Sequence, residues 1–466
     1  MRKSLSILIS LSFMLLTLCS CSSAPSGSST PESEAEATAA FEPISIYYVT
    51  TPYYNYIEEK LELAKDELDL DDALLSISTF ETYEELAAAI DQTGMPDLLL
   101  LDHYYNAAGT PLDIWQLAKD GELAELGTLL EADSTYQEEN YVDGVMQAGR
   151  IGDVQYFLPF SMQNSFSLLT TPKYEASELA NLPEEYDLNQ LLLALQHESE
   201  REDARKYVMS TGMGYYLPYS AGDMLYQFLT ETGFLRDVTA SGAAVQEEDL
   251  PLALQHVCRV YSDTQNLMSD ASLDNMNFAQ VNDVFLAQLS TANMLSATYW
   301  YMNLYQHILD QQLVLQPYPY AQSSGEYGVV VDGLALIGAQ SEAPESAYRL
   351  ARAIMDLPAS AWTNNVIATQ SPMQWSTSIH RETLTTQIEF LTTYTTSSGY
   401  GDERFTSTGL TDELASQLTA WVDQIHYAEP MNPFLTQKLE DCFTPFLTGE
   451  SSDLDQALAS FVGSLS

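Results

Sequence analysis

Several aromatic clusters in this sequence carry the side chains best suited to hold a flat or polyhydroxylated molecule. Tyr299, Trp300 and Tyr301 follow an apolar piece, Met294-Leu295, through the short link Ser296-Ala297-Thr298. A large ring fixed on a turn offers a sugar a rigid apolar face, although Trp300 could equally plug a core. Tyr53-Tyr54-Asn55 and Asp102-His103-Tyr104-Tyr105 add an amide and a carboxylate, groups that pair with hydroxyls. The plain alternative for both is a solvated loop. Gly212-Met213-Gly214-Tyr215-Tyr216 sets two tyrosines on a glycine-punctuated turn, where backbone can approach a ligand or a neighbouring strand. The candidate ligand-binding residues are therefore Tyr54, Asn55, Asp102, Tyr104, Tyr216, Tyr299, Trp300, Asp332 and Trp375.

Catalytic constellations do not assemble. The sequence holds no Gly-x-Ser-x-Gly elbow, no His-Glu-x-x-His and no paired-cysteine motif, and the glycines at 212 and 214 are not followed by the Lys-Ser/Thr of a phosphate loop. His103, His197, His256, His307, His380 and His426 are scattered, so Asp102 and His103 lack the further ligands a metal requires. With 66 acidic residues, any carboxylate pair mimics a glycosidase by chance. The reading is a non-enzyme with no cofactor and no metal.

The elements that position these loops alternate. Ile44 to Thr50 is a strand rich in Ile, Val and Tyr, and Tyr56 to Leu68 has helical periodicity. Leu74 to Phe80 is a second strand; Thr82 with Glu85 forms a capping box for a helix that Gly94 ends. Pro96 to Leu101 suits a strand buried on both faces. This order predicts an open parallel sheet, with ligands at the carboxyl ends of its strands. Further on, Leu117 to Leu130 reads as helical and Phe285 to Ala292 as a buried helix capped by Asn282 or Asp283. Tyr327 to Gly338 reads as strands with a kink or turn at Asp332-Gly333. Pro344 to Leu357 carries Pro and Glu in its first turn, and Pro430-Met431-Asn432-Pro433 opens a helix through Phe446. Ser452 or Asp453 caps a last one.

The amino terminus reads as a processing signal: Arg2-Lys3, an apolar stretch from Leu5 to Leu18, then Leu18-Cys19-Ser20-Cys21. This resembles a bacterial lipobox with Cys21 as the acylated residue; an ordinary secretory signal is the alternative. Ser22 to Ala40 has almost no branched aliphatic residue and is expected to be a flexible tether. Formal net charge is −49, and removal of Arg2 and Lys3 takes it to −51. Such a body repels nucleic acid and anionic lipid, while a cationic polyamine would find its field attractive. Cys258 and Cys442 are expected as buried small hydrophobes, with a disulfide between them possible outside the cell.

Phe285, a run of small residues, Ala292-x-Met294 and a turn ending in Trp300 together resemble the signature of extracellular solute-binding proteins of the carbohydrate type, family 1, the receptors of ABC importers. Gln288 stands where that family usually has Gly, and Thr298-Tyr299 where it has Gly before the Trp. The order of the other parts agrees: a Gly-Glu-Leu stretch from Leu117, Tyr156-Phe157-Leu158-Pro159, the valine-rich run at 327 to 338 and the loop ending in Trp375. Ser161, Gln163 and Asn164 are weaker candidates, because Leu168 to Thr171 replaces the family's Tyr-Asn.

The resemblance implies an α/β fold of the two-lobed periplasmic-binding-protein type II class, each lobe a mostly parallel sheet flanked by helices. Its expected organisation is signal peptide 1–20, tether 21–40, lobe one 41–158 plus 312–357, and lobe two 159–311 plus 358–466. It further implies a monomeric lipoprotein on the outer face of the cell membrane, attached by lipid alone, which delivers a mono- or oligosaccharide to ABC permease subunits. A polyamine or peptide receptor of the same fold is the alternative solute reading. An exported hydrolase and a surface lipoprotein without a transport role are the other two.

Overall fold

In the computed structural model the described residues are 40–50, 56–101, 112–163, 167–170, 288–289, 314–317, 327–357, 377–393, 396–400, 403–407, 412–447 and 450–464, with helical positions 222, 225, 226, 229 and 230. The chain opens as its periodicity predicts: β1 (Ile44–Val49), α1 (Tyr56–Glu67), β2 (Leu75–Phe80), α2 (Tyr83–Thr93) and β3 (Leu98–Leu101). β1 pairs in parallel with both neighbours, Ile46 facing Ile77 on one side and Leu98 on the other. All four leucines of β3 are buried, as an uninterrupted apolar run in a sheet covered on both faces requires. Thr82 Oγ1 accepts the amide of Glu85 at 3.2 Å, and the Glu85 carboxylate reaches back to the amide of Glu81. Gly94 closes α2 at φ +83°, a conformation open to glycine.

The single helical stretch expected from Leu117 to Leu130 is instead two short helices, α3 (Ile114–Lys119) and α4 (Gly127–Ala132). Gly121 turns left-handed at φ +75°, and the buried Leu123 leaves the helix to form a bridge with Gly338. Burial of that leucine against the sheet outweighs the weak local preference for helix. The chain continues through a hairpin, β4 (Arg150–Ile151) and β5 (Val154–Gln155), into β6 (Phe157–Gln163) and β7 (Ser167–Thr170).

β8 (Gln288–Leu289) corrects a second expectation. These two residues, read as part of a buried helix, form a strand antiparallel to β7, with Leu289 opposite Leu168. β9 (Val314–Pro317) pairs with the other edge of β7. A short apolar run has no period that separates a buried helix from a buried strand, and here the pairing with β7 decides.

β10 (Tyr327–Ile337) is one continuous strand, not two joined by a turn. α5 (Pro344–Met355) follows with Pro at its first turn. Then come β11 (Thr377–Ser378), α6 (Arg381–Thr393), the hairpin β12 (Thr396–Tyr400) and β13 (Glu403–Ser407), α7 (Asp412–Val422), β14 (Ile425–Pro430), α8 (Pro433–Leu447) and α9 (Leu454–Ser464). The principal sheet runs β11-β6-β10-β3-β1-β2, with β14 also on β10. It is parallel at β2-β1-β3 and at β10-β14, and antiparallel where β10 meets β3 and β6.

A buried polar network staples α5 to the segment after α4. Arg352 reaches Asp133 at 3.2 Å and Asp356 at 2.8 Å, and donates to the Tyr141 hydroxyl, which itself donates to Asp356. Burial alone would raise the Asp133 carboxyl, but hydrogen bonds from Thr135, Tyr348 and Arg352 outweigh it and hold the group down to about 2. Burial and the Asp356 charge push the Tyr141 phenol well above its usual range. Gly144, at φ +75°, lies so close to β14 that a Cβ would sit 2.5 Å from the His426 carbonyl oxygen.

The face formed by positions 222, 225, 226, 229 and 230 is wholly buried, at one-turn and two-turn spacing of a helix. Tyr226 donates its hydroxyl to the Pro430 carbonyl at 2.7 Å, and the Gly222 amide donates to Glu440 at 2.6 Å, which seats this helix on β14 and α8. Cys442, on α8, expected as a buried residue, is instead half-buried with a free thiol, whose ionisation is raised by that partial burial and the neighbouring Asp441.

Candidate functional site

The principal sheet brings strand ends together at one place. β3 runs antiparallel to β10, and its last residue, Leu101, faces Leu334. β14 runs parallel to β10 on the same edge, and its last residue, Pro430, faces Val331. The carboxyl ends of the two strands thus point toward each other, and only Asp332 and Gly333 of β10 lie between their partners. β1 is parallel to β3, so its carboxyl end opens on the same side. Thr50 closes that end by donating both its amide, at 2.8 Å, and its hydroxyl, at 3.1 Å, to the Phe80 carbonyl. Two carboxyl ends cannot be joined by one loop, and open α/β sheets bind ligands at points of this kind.

The opposite edge of β10 marks the same spot. β6 pairs Val331 with Met162, Gly333 with Ser161 and Leu334 with Pro159, so the register steps over Asp332 on β10 and Phe160 on β6. Two staggered bulges of this kind bend a sheet locally and re-aim side chains. Asp332 is 1 % exposed and its Oδ1 accepts a 2.7 Å hydrogen bond from the Ser161 hydroxyl. Gly333 admits no side chain: a Cβ would lie 2.2 Å from Ser161 Oγ and 2.4 Å from Phe160 Cε2. Lys60 of α1, 5 % exposed, places its ammonium 4.9 Å from the centre of the Phe160 ring, a cation over an aromatic face.

The surroundings are anionic. The first turn of α1 carries Glu58 and Glu59, and burial raises the Glu59 carboxyl. Burial, with Glu58 and Glu62 adding to it, pushes the Tyr48 phenol up to about 12. On the β14 side Met431 donates its amide to the Val331 carbonyl, and Asn432 caps α8 by accepting from the amides of Phe434 and Leu435 at 3.1 Å. Among the described residues, no group of three or more His, Cys, Asp or Glu could hold a metal ion.

Of the candidate ligand-binding residues, Asp332 is the one placed within the described structure, inside the sheet at the bulge. Tyr54, Asn55, Asp102, Tyr104, Tyr216, Tyr299, Trp300 and Trp375 lie outside the described residues, as does Cys21. Tyr54 and Asn55 immediately precede α1, and Asp102 immediately follows β3, so all three are attached to elements with one end at this point. Sequence reasoning missed Lys60, although the signal was present: it shares helical spacing with Ile57, Leu61 and Ala64, and all four are buried.

No protein-family profile matches the chain, and no curated protein matches it. Solved structures do. The cyclic alpha-maltosyl-1,6-maltose binding protein of Arthrobacter globiformis is 16% identical over 91% of this chain and 97% of its own, with a TM-score of 0.52. An extracellular solute-binding protein family 1 from Alicyclobacillus acidocaldarius is 12% identical over 91% and 97%, with a TM-score of 0.51. The sugar-binding protein MalE of Xanthomonas citri is 10% identical over 91% and 96%, at 0.52. The chain has the mixed α/β fold of periplasmic binding proteins.

Proposed function

We propose that this chain, built on the periplasmic-binding-protein fold, is an extracellular solute-binding protein of the carbohydrate type, family 1, serving an ABC importer. The observation that carries the reading is the meeting of the carboxyl ends of β3 and β14 at Asp332-Gly333, a place where one strand serves two sets of neighbours. On this reading the chain forms two lobes. One is built on β1 to β3 and the second half of β10; the other is built on β14, α8 and the helix face at 222 to 230. The crossing falls within β6 and β10, near Ser161 and Asp332.

A saccharide held between the lobes would favour the closed arrangement by differential affinity, with no chemistry required. Tyr54, Asn55, Asp102 and Tyr104 supply rings and polar groups from the first lobe, and Tyr216, Tyr299, Trp300 and Trp375 from the second. Similarity to sugar-binding structures supports the solute class. Cys21 would carry the lipid that holds the protein at the outer face of the membrane, and the liganded surface would engage permease subunits.

The anionic rim at Glu58 and Glu59 and the net charge of −49 favour a second reading, a polyamine receptor of the same fold. A thermal-shift panel of maltooligosaccharides, xylooligosaccharides, spermidine and short peptides tests both, since a tight ligand raises the melting temperature by mass action. A shift with a saccharide that Trp300→Ala weakens at least about tenfold supports the first reading. A shift with spermidine alone supports the second. Turnover of a glycan in the same panel would overturn both.

A further inference from the structure

We infer that the buried face of α6 binds ordered water at the side-chain amide of Gln387. This water site does not depend on the solute-binding reading.

The helix exposes Glu382, Thr385 and Glu389 and buries Thr383, Leu384, Gln387 and Ile388, so its inner face repeats at three and four residues. The His380 carbonyl accepts from the Leu384 amide, which extends that face back to His380, two turns before Gln387. Leu384 and Ile388 join the core that holds Ile379 and Val422. Beside them runs a polar row of His380, Thr383 and Gln387. Thr383 is satisfied, because its hydroxyl donates to the Leu357 carbonyl at 3.1 Å. Gln387 is not: it is 1 % exposed, and among the described residues neither its Oε1 nor its Nε2 has a hydrogen-bond partner. His380 Nδ1 is a second buried atom of the same row without one, although the His380 amide donates to Ser378 Oγ at 3.1 Å and its ring packs edge-on against Tyr141.

A side-chain amide offers two donors and an acceptor. Both ends are orphaned here, so turning the amide over gains nothing. Burial in that state is unfavourable, whereas methionine would fill nearly the same space with no polar group to satisfy. The two orphaned groups do not serve each other, for seven helical residues set them about 10 Å apart along the axis. What satisfies Gln387 must be neutral, since the face formed by His380, Thr383, Leu384, Gln387 and Ile388 includes no acid, lysine or arginine. It must be small, since Leu384 and Ile388, both buried in the core, flank the row. It must also both donate and accept, to meet the two ends of the amide. Water fulfils all three conditions, and buried water is how folded chains commonly satisfy such groups.

Oxygen-17 magnetic relaxation dispersion of the solvent, which counts slowly exchanging internal waters, tests this on the full chain without any solute. Gln387→Met is expected to lose the contribution of at least one such water relative to wild type, and Thr385→Ala, on the exposed face of the same helix, is expected to lose none. An unchanged count in Gln387→Met would overturn the assignment, and a higher urea midpoint alongside it would mean that the amide is simply unpaired. If Gln387→Met yields no folded protein, a crystal structure of wild type decides alone. A water oxygen should then lie about 2.7–3.2 Å from Gln387 Oε1 or Nε2; a protein group in that place, or an amide with neither end bonded, would rule the water site out.

Discussion

Leu101 and Pro430 end their strands facing each other along one edge of β10, opposite Leu334 and Val331. Strands that run in opposite directions toward a common point cannot share a loop, so the chain leaves each end separately. Asp332 and Gly333 bridge the interval.

Gly333→Ala is the most direct probe of that interval. The added methyl would enter the space of Ser161 Oγ and the Phe160 ring, at 2.2 and 2.4 Å, inside a sheet whose strands are fixed on both sides. Overpacking of this kind costs about 1–3 kcal/mol. Urea unfolding should show a lower midpoint with an unchanged slope; a midpoint at the wild-type value would mean the bulge can flatten.

Arg352→Ala should be more damaging than its position on a helix suggests. It takes the guanidinium from Asp133 and Asp356, which it contacts at 3.2 and 2.8 Å, leaving them only the bonds from Thr135, Tyr348 and Tyr141, and removes a cation stacked over Tyr136 and Tyr141. Breaking a fully buried pair by deleting one partner costs about 3–5 kcal/mol, and the partial exposure of the two acids places the loss below that. Arg352→Lys should recover only part, because an ammonium lacks the fork that reaches both acids and Tyr141. Urea midpoints of the two variants check the order.

Acid should loosen the same network. The Asp133 carboxyl is held down to about 2 in the folded chain, against about 3.9 for an unperturbed aspartate. A depressed folded value means its stabilisation is complete above about pH 4 and disappears as pH falls toward 2. With solvent screening allowed for, the contribution is on the order of 1 kcal/mol. Asp133→Asn should therefore lower the melting temperature at pH 6 and lower it less at pH 2, where the carboxyl is about half protonated; an equal loss at both would remove the carboxylate from the account.

Where local signals coincided, sequence and structure agree. Thr82 with Glu85 opens α2 and Gly94 closes it, so period and caps fix the helix together. Partner choice was not legible. Ser161 and Asp332 are 171 residues apart, and nothing near either one names the other; the Asp332-Gly333 kink was visible, but not the strand that continues through it. Gly121 and Leu123 broke an expected helix because the leucine's burial is a tertiary gain that helical periodicity does not record. The same holds at Gln288-Leu289, where β7 supplies what the local pattern lacks. Around Asp332, the attachment points were readable from strand and helix limits, while Lys60 and Phe160 were not singled out, because only the tertiary contact brings them together.

Tryptophan emission should separate the proposed rings from the scaffold. The chain has five tryptophans, and Trp115 packs edge-on against the buried Phe157, 6.5 Å between ring centres, at the β6 residue that faces Leu336. Trp300 and Trp375 are the proposed solute platforms, and a stacked sugar changes the polarity around an indole. Addition of the saccharide that raises the melting temperature should therefore shift emission in wild type and in Trp115→Phe. The shift should fall by half or more in Trp300→Phe or Trp375→Phe, since a few aromatic anchors dominate such sites. A shift that survives in both of these and vanishes in Trp115→Phe would move the solute to the first lobe's interior and end the proposal for the two rings.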